Sequence, residues 1–288
     1  MIAVYKREFR AYMNNVYGWL TMSVMLLFIG AMMFVFNLLN MLPNIEYALL
    51  NGQYVLLLII PILCMRSMAE DKRNRTDMFY LSLPIKTSSV VVGKYLALLT
   101  VFGLSCLVVC VYPPILGIFG TVNYATSYVS LLFFFLTGAA VIAVCQFLSA
   151  LTDNLVVAAV LGVGGTALLF FLPYVAGVIP ATAIASFIGL VVLAALAAGI
   201  AFLVTRNLSV TAVTGAVLVV PTSVLYILMQ ERFAGLLPEL LAYMSPFIPF
   251  QEVAGLGVFS ISSLVLVLSY PLFFVFLTVQ AADKKRWA

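Results

Sequence analysis

Long apolar segments separated by short polar gaps dominate the chain. They lie at roughly 18–40, 50–66, 93–119, 127–150, 155–177, 183–204, 209–229 and 257–280. Each is close to the twenty or so residues with which an α-helix crosses roughly 30 Å of hydrocarbon. Strands are excluded because unpaired backbone cannot cross lipid and the alternation of a barrel is absent. The pattern predicts an all-α polytopic membrane protein, with about eight transmembrane helices in a single domain over 1–288.

The basic residues show which gaps share a side of the membrane. Of the 14 Lys and Arg residues, all but Arg232 lie before the first segment, between the second and third, between the sixth and seventh, or after the eighth, with Lys94 just inside the third. Cytoplasmic loops carry such an excess, and it sets orientation. We therefore predict a protein of the plasma or inner membrane with both termini in the cytoplasm. Topology alone accounts for the net charge of +4, so nucleic acid is not an expected partner.

The first sixteen residues form a separate element in the pattern. Ile2, Tyr5, Phe9 and Tyr12 recur at helical spacing, and basic residues occupy another face. This spacing is typical of an amphipathic helix lying in the headgroup region with its apolar side towards the lipid. A merely basic flank of the first span is the alternative.

The cytoplasmic segment at 66–92 is the most charged part of the chain. Residues 68–80 continue as a helix in this prediction, and Pro84 ends the run that follows. An apolar cluster lies beside the charges, at Met78, Phe79, Leu81 and Leu83. Exposed apolar surface rimmed with charge is typical of a docking site. A solvated loop is the alternative interpretation.

Few residues have the chemistry for catalysis or for coupling to an ion gradient. The chain has no His, no phosphate-binding loop of its own, and no acidic residue near the middle of a predicted span. Its four cysteines lie inside apolar segments and are expected to be reduced packing residues, not metal ligands. We therefore expect no catalytic site, no metal and no cofactor in this chain. Any energy for active transport has to come from another polypeptide.

The gap at 230–256 is predicted to lie outside the cell. Prolines at 238, 246 and 249 interrupt it, which favours short helices or a partly re-entrant segment. Glu252 is a weak candidate for a polar contact with cargo. A carboxylate at the solvated end of a helix is the more ordinary interpretation of this residue.

Three stretches resemble one family, the type-2 exporter class of ABC transporter permeases, near its gliding-motility and copper-enzyme-maturation branch. The first is the opening IAVYKREFRAYM. The second and most specific is PILCMRSMAEDKRNRTDMFYLSLPIKTSSVVVGKYLA, residues 61–97. The third combines LSALTDNLVVAAVLG, residues 148–162, with the C-terminal segment that begins PFQEVAGLG. Together these stretches cover about half of the chain.

The resemblance implies a permease subunit that pairs with a second permease copy and with cytoplasmic ATPase subunits, which bind ATP and Mg²⁺. It also implies that the segment after the second span carries a coupling helix seated on the ATPase. Carried over by position, the contact candidates are Glu70, Arg73, Thr76, Asp77, Leu81 and Pro84.

Two departures from the family pattern affect these expectations. Arg75 replaces a glycine that is usual before the threonine, and the stretch from about 181 to 229 adds two spans to the more common six. A non-transporting scaffold that recruits a cytoplasmic protein through 66–92 is the alternative function. A secondary carrier ranks third. The scarcity of polar groups in the spans favours an amphipathic or hydrophobic cargo.

Overall fold

The computed structural model describes residues 1–74, 86–205 and 233–287, together with 217, 219, 221–223 and 226. Within this part of the chain the regular secondary structure is helical. The helices are α1 (Ile2–Met13), α2 (Val16–Met33), α3 (Glu46–Gly52), α4 (Tyr54–Arg73), α5 (Thr87–Val109), α6 (Tyr112–Phe119), α7 (Tyr124–Ala150), α8 (Leu155–Val178), α9 (Ala183–Thr205), α10 (Leu236–Tyr243), α11 (Ile248–Leu256) and α12 (Ile261–Trp287). A π-helical turn, Phe34–Leu39, extends α2.

The predicted membrane spans correspond to helices of sufficient length and hydropathy. Five pass that test in the described residues: Val16–Leu39, Thr87–Ile118, Tyr124–Ala150, Leu155–Val178 and Ile261–Asp283. Helices α3 and α4 pass the same test when they are taken together, with a bend of 50° between them. Helix α9 matches the segment predicted at 183–204, whereas most of the segment at 209–229 lies outside the described residues. The all-α polytopic membrane fold is confirmed.

The chain divides into two compact units. The first comprises Met1–Leu169 and Pro246–Ala288, and the second comprises Phe170–Ser245. In the second unit the Phe187 ring stacks on Tyr226 with 4.6 Å between centroids, and the Ser186 hydroxyl accepts a hydrogen bond from the Leu237 amide. Aromatic stacking and a buried hydroxyl therefore hold α9 to its neighbours in this unit.

Helix α7 is the centre of the first unit. It is the most buried of the spans and packs against α4, α5, α11 and α12. A Cβ added at Gly138 would lie 2.2 Å from the Phe102 ring, so this position allows α5 to approach closely. Such small residues allow transmembrane helices to pack by van der Waals contact, since lipid provides no hydrophobic drive between them.

Two side-chain hydroxyls, Thr166 of α8 and Ser149 of α7, contact the backbone of α4 at different points along the helix. Pro61 has no amide proton, so the Leu57 carbonyl lacks its usual intrahelical donor. The Thr166 hydroxyl of α8 lies 3.3 Å from that carbonyl and 2.9 Å from the Gly162 carbonyl of its own helix. These contacts tie the proline turn of α4 to α8.

The second contact with the α4 backbone lies nearer its C-terminal end. Ser149 of α7 accepts a hydrogen bond from the Ala69 amide at 3.2 Å and donates one to the Met65 carbonyl at 3.2 Å. Those two groups are four residues apart, the spacing of one helical hydrogen bond. Ser149 of α7 therefore bonds to both members of one backbone amide–carbonyl pair of α4.

The apolar stripe of α1 packs in part against other helices of the first unit. Tyr12 is buried, and the Tyr5 hydroxyl lies 3.2 Å from the Thr100 hydroxyl of α5. Of the four residues in the stripe, only Ile2 is largely exposed. The stripe packs against the apolar surface of α5.

Two short helices lie in the described part of 230–256, as predicted. They are α10 and α11, and Gly257 ends α11 with a φ of 67°. A left-handed backbone of this kind favours glycine at a helix end. Short helices in this part of the chain are therefore confirmed, while 230–232 lie outside the described residues.

Candidate functional site

A buried lysine joins three helices at the end of the first unit where most of the described basic side chains lie, here called the basic end. Lys94 of α5 is only 2% exposed. Its ammonium nitrogen lies 2.8 Å from Asp71 Oδ2 of α4 and 3.2 Å from Glu8 Oε1 of α1. An ammonium group inside an apolar helix is unfavourable unless a carboxylate compensates it. Here two carboxylates from two other helices do so.

The residue before the lysine lets α1 come close enough to form this cluster. A Cβ on Gly93 would lie 3.2 Å from both the Met1 carbonyl oxygen and the Val4 Cβ. Such a distance is tighter than ordinary van der Waals contact. The pair Gly93-Lys94 therefore supplies both the close crossing of α1 over α5 and the charge that anchors α1 there.

A second ion pair lies along α4, beside the C-terminal half of α1. Arg66 donates to Glu70 at 3.0 Å along α4, and its guanidinium lies 4.2 Å from the centre of the Tyr17 ring. These residues line a cavity of about 60 Å³ with Glu8 and Tyr12. Burial holds the pKa of Tyr12 well above its ordinary value, and the nearby Cys64, Glu8 and Glu70 raise it further. The phenol is therefore a neutral wall of the cavity.

The loop between α7 and α8 meets the end of α4 through a third contact. The Lys72 ammonium donates to the Ala150 carbonyl and lies 3.8 Å from Asp153 Oδ1. A cleft beside it is lined by Arg73, Asp153 and Asn154. The last turn of α4 is thus fixed to α7 while Arg73, which is exposed, borders an open polar surface.

The predicted coupling residues divide at the end of α4. Glu70 is half-buried and paired with Arg66, whereas Arg73 is exposed. Thr76, Asp77, Leu81 and Pro84 lie outside the described residues, as does the apolar cluster around them. The structure therefore places the two flanks of the predicted coupling segment, and its contact role stays a prediction.

Glu252 lies far from this cluster in the fold, on α11. Its Oε2 accepts a hydrogen bond from the Ser263 hydroxyl at 3.0 Å, and Ser260 caps the same first turn of α12 by accepting from the Ser263 amide. The carboxylate thus joins α11 to the start of α12. A contact between Glu252 and cargo stays a prediction.

Sequence reasoning missed the partners of Lys94. Glu8 and Asp71 were not candidates, although Lys94 itself stood just inside an apolar segment. A charge in that position had to find a counter-charge, and this was the available signal. The sequence did not reveal which acids would meet it, because they come from helices separated widely along the chain.

The chemistry of the basic end is mechanical and electrostatic. Within the described residues, no three acidic, Cys or His side chains are grouped closely enough to hold a metal ion. The paired charges instead tie α1, α4 and α5 together next to an exposed polar surface. Such an arrangement can pass a displacement of one helix end to the others.

Comparison with known proteins identifies the family. The model for "ABC-2 family transporter protein" matches residues 6–230, which is most of the chain and includes the whole basic end up to α8. Searches among curated proteins and among solved structures returned no match. Membership implies a partnership with an ABC ATPase subunit. The chain belongs to the ABC-2 family, and it is the membrane-spanning permease subunit of an ABC transporter.

Proposed function

We propose that this permease is half of an exporter driven by separate ATPase subunits seated on the coupling segment at residues 66–92. The observation that carries the proposal is the Lys94 cluster. Asp71 lies in the first part of this segment and Lys94 just after its end, and their side chains lie 2.8 Å apart. A partner that moves the segment therefore moves the ends of α4 and α5 together.

The contacts at the basic end give the movement a route into the spans. A shift of α4 passes to α1 through the Lys94–Glu8 pair and to α7 through Lys72 and Ser149. In this mechanism ATP and Mg²⁺ bind to the partner subunits, whose closure draws two coupling segments together. The spans then change from inward-open to outward-open. No residue of this permease takes part in hydrolysis.

The proposal includes a second permease copy, both termini in the cytoplasm, and the plasma or inner membrane as location. The basic end faces the cytoplasm, as its lysines and arginines favour. The stretch 61–97 supports a position near the gliding-motility and copper-enzyme-maturation branch. The apolar spans favour a lipid-like or amphipathic cargo.

Loss of the ATPase on mutation of the segment is the main test. Leu81→Asp places a charge in the predicted docking cluster, where burial of a Leu side chain contributes about 1.5–3 kcal/mol. We expect the variant permease to insert and fold but to lose at least about tenfold of the co-purified ATPase. Leu256→Asp is the matched control, because Leu256 is exposed at the end of α11. Retention of the ATPase by Leu81→Asp would refute docking at this segment.

Milder variants separate docking from coupling. Glu70→Gln and Asp77→Asn should leave the complex assembled, since peripheral charges set orientation and association rate more than affinity. We expect them to weaken the stimulation of ATP hydrolysis by cargo. An assembled complex whose wild-type form neither hydrolyses ATP nor moves cargo would favour the scaffold function.

Reporter fusions test the orientation. Fusions after Asn123 and Leu237 should behave as external, and those after Asn207 and Ala288 as cytoplasmic. An external signal from the fusion after Ala288 would contradict the proposed topology.

A further inference from the structure

An apolar groove runs along the face shared by α5 and α7, away from the ion pairs of the basic end. Its volume is about 490 Å³, and its lining begins at Leu96 on α5 and reaches Cys110, the residue that follows that helix. Over these residues a helix rises about 21 Å, somewhat more than the roughly 15 Å depth of one leaflet's hydrocarbon. Both walls are helices long and apolar enough to cross a membrane.

The groove is open towards the bilayer and fixed in shape. Leu107 and Leu132, one on each wall, are exposed by 65% and 48%. The Phe135 ring stacks on Phe102 with 5.9 Å between centroids, which holds one side in place. Gly103 lines the groove, and a Cβ there would lie 3.4 Å from the Phe135 ring. A glycine at this point keeps the groove deep enough for a hydrocarbon chain.

The polar side chains of the lining are already hydrogen-bonded. Tyr128 donates to the Cys110 carbonyl at 3.5 Å, and Thr100 donates to the Leu96 carbonyl at 2.7 Å. The remaining lining is almost entirely apolar. An occupant with hydrogen-bonding groups along its length would leave them unpaired, which is unfavourable. The chemistry of the groove therefore favours an acyl chain.

One end of the groove lies beside α1. Thr100 lines the groove and its hydroxyl lies 3.2 Å from that of Tyr5. On α1 the neighbouring Lys6 and Arg10 are exposed and four residues apart, so they lie on one face of the helix. A lipid whose chain occupies the groove would have its headgroup at the end where Thr100 meets α1, the helix that carries these two residues. Lys and Arg near a membrane surface attract anionic headgroups.

We infer that the groove binds one acyl chain of an anionic phospholipid from the leaflet on the side of α1, with Lys6 and Arg10 attracting the headgroup. The bilayer supplies the chain and α1 supplies the charge preference. The lipid would brace α1 against α5, next to the Lys94 cluster. This inference does not depend on the proposed docking of an ATPase, since it concerns a different face of α5.

Native mass spectrometry of the full-length protein, in the complex with which it purifies, tests the site. The probes are dioleoyl phosphatidylglycerol and dioleoyl phosphatidylcholine. Gly103→Leu fills the groove and should reduce retention of phosphatidylglycerol about tenfold or more. Gly164→Leu is the matched control because Gly164 is exposed, with nothing within 4 Å of an added Cβ. It should retain phosphatidylglycerol as the unmodified protein does.

The charge preference has its own variant. Lys6→Gln combined with Arg10→Gln should reduce phosphatidylglycerol retention about fivefold for each residue changed, while phosphatidylcholine retention stays constant. Lys6→Arg with Arg10→Lys should preserve the preference. Equal retention of the two lipids by the unmodified protein would overturn the assignment of an anionic headgroup.

A measurement that does not depend on filling the groove guards against misfolding of Gly103→Leu. Leu107→Trp, in a background of Trp19→Phe and Trp287→Phe, places the fluorophore on the groove wall. Brominated phosphatidylglycerol should quench it more strongly than brominated phosphatidylcholine at equal mole fraction. Equal quenching would overturn the proposal. So would efficient cross-linking of Leu107→Cys between two permease copies, which would make the groove a subunit contact.

Discussion

The two ends of the first unit hold their charged side chains in different ways. At the basic end, the Lys94 ammonium lies between the carboxylates of Glu8 and Asp71. At the opposite end, Glu46 and Glu252 are each held by a serine hydroxyl, from Ser127 and Ser263 at 3.0 Å. Glutamine amides add a contact there, from Gln251 to Gln53 at 3.3 Å.

The two ends therefore differ in how strongly their stability depends on a single side chain. A buried ion pair is weak evidence for stability, but removal of one partner leaves an uncompensated charge that destabilises strongly. A carboxylate that accepts from a serine loses much less when the hydroxyl is removed. The basic end is thus the end at which one substitution has consequences for several helices. That property suits a site through which movement is transmitted.

The largest expected effect breaks the Lys94 cluster. Lys94→Met removes the ammonium that lies between the Glu8 and Asp71 carboxylates and leaves Arg7 as the cation beside Glu8. We expect a loss of about 3–5 kcal/mol in the free energy of unfolding. The measurement is unfolding in mixed micelles with increasing denaturing detergent. Combining Lys94→Met with Glu8→Gln and Asp71→Asn should recover most of the loss. A triple variant as unstable as the single one would show that packing, not charge, is responsible.

Ser149→Ala tests the contact between α7 and α4 at the basic end. It removes the acceptor for the Ala69 amide and the donor for the Met65 carbonyl. We expect a loss of about 1–3 kcal/mol in the free energy of unfolding. Ser269→Ala is the control, since Ser269 is exposed and bonds only to the carbonyl of Leu266 in its own helix. Equal losses from both variants would remove the special role of Ser149.

At the opposite end, Ser263→Ala and Glu252→Gln should each reduce the free energy of unfolding by about 1 kcal/mol or less. The glutamine keeps an oxygen that can accept from Ser263. Cargo transport by Glu252→Gln in proteoliposomes should stay within about twofold of the unmodified protein. A clear loss of transport with unchanged stability would instead support a cargo contact at Glu252.

The smallest expected change in stability concerns the exposed ion pair of the basic end, between Lys72 and Asp153. Asp153 is 66% exposed at the side chain and lies 3.8 Å from the Lys72 ammonium. Asp153→Asn should change the free energy of unfolding by less than about 1 kcal/mol, because solvent screens exposed pairs. The difference should shrink further in 1 M salt. An effect as large as that of Lys94→Met would mean that exposure does not distinguish these pairs.

The spans could be predicted because apolar length is a local property of the sequence. Helices α7 and α8, and α2 together with its π-helical extension, begin and end within three residues of the predicted segments. The bend of 50° between α3 and α4 was not foreseen, since it arises from how Glu46–Gly52 packs on other helices. Bends of this kind depend on tertiary contacts that hydropathy does not contain.

The candidate site was predictable only in outline. The charge of 66–92 indicated a functional segment, and Glu70 and Arg73 lie at its start as expected. The amphipathic pattern predicted helix α1 correctly, and Tyr5 and Tyr12 of its apolar stripe pack on protein. A stripe of apolar residues reports that a face is buried but not what covers it. The sequence likewise shows that Lys94 needs a counter-charge but does not show which carboxylates provide it.

The turn of α4 at Pro61 has a consequence for how far two helices can separate reversibly. The single hydroxyl proton of Thr166 is within reach of three acceptors, the Leu57 carbonyl of α4 and the Gly162 and Val163 carbonyls of α8. If α4 moves away, the proton stays satisfied within its own helix and only the Leu57 carbonyl is released. At this proline turn, α4 and α8 can therefore separate while the Thr166 hydroxyl keeps a hydrogen bond to a carbonyl of its own helix.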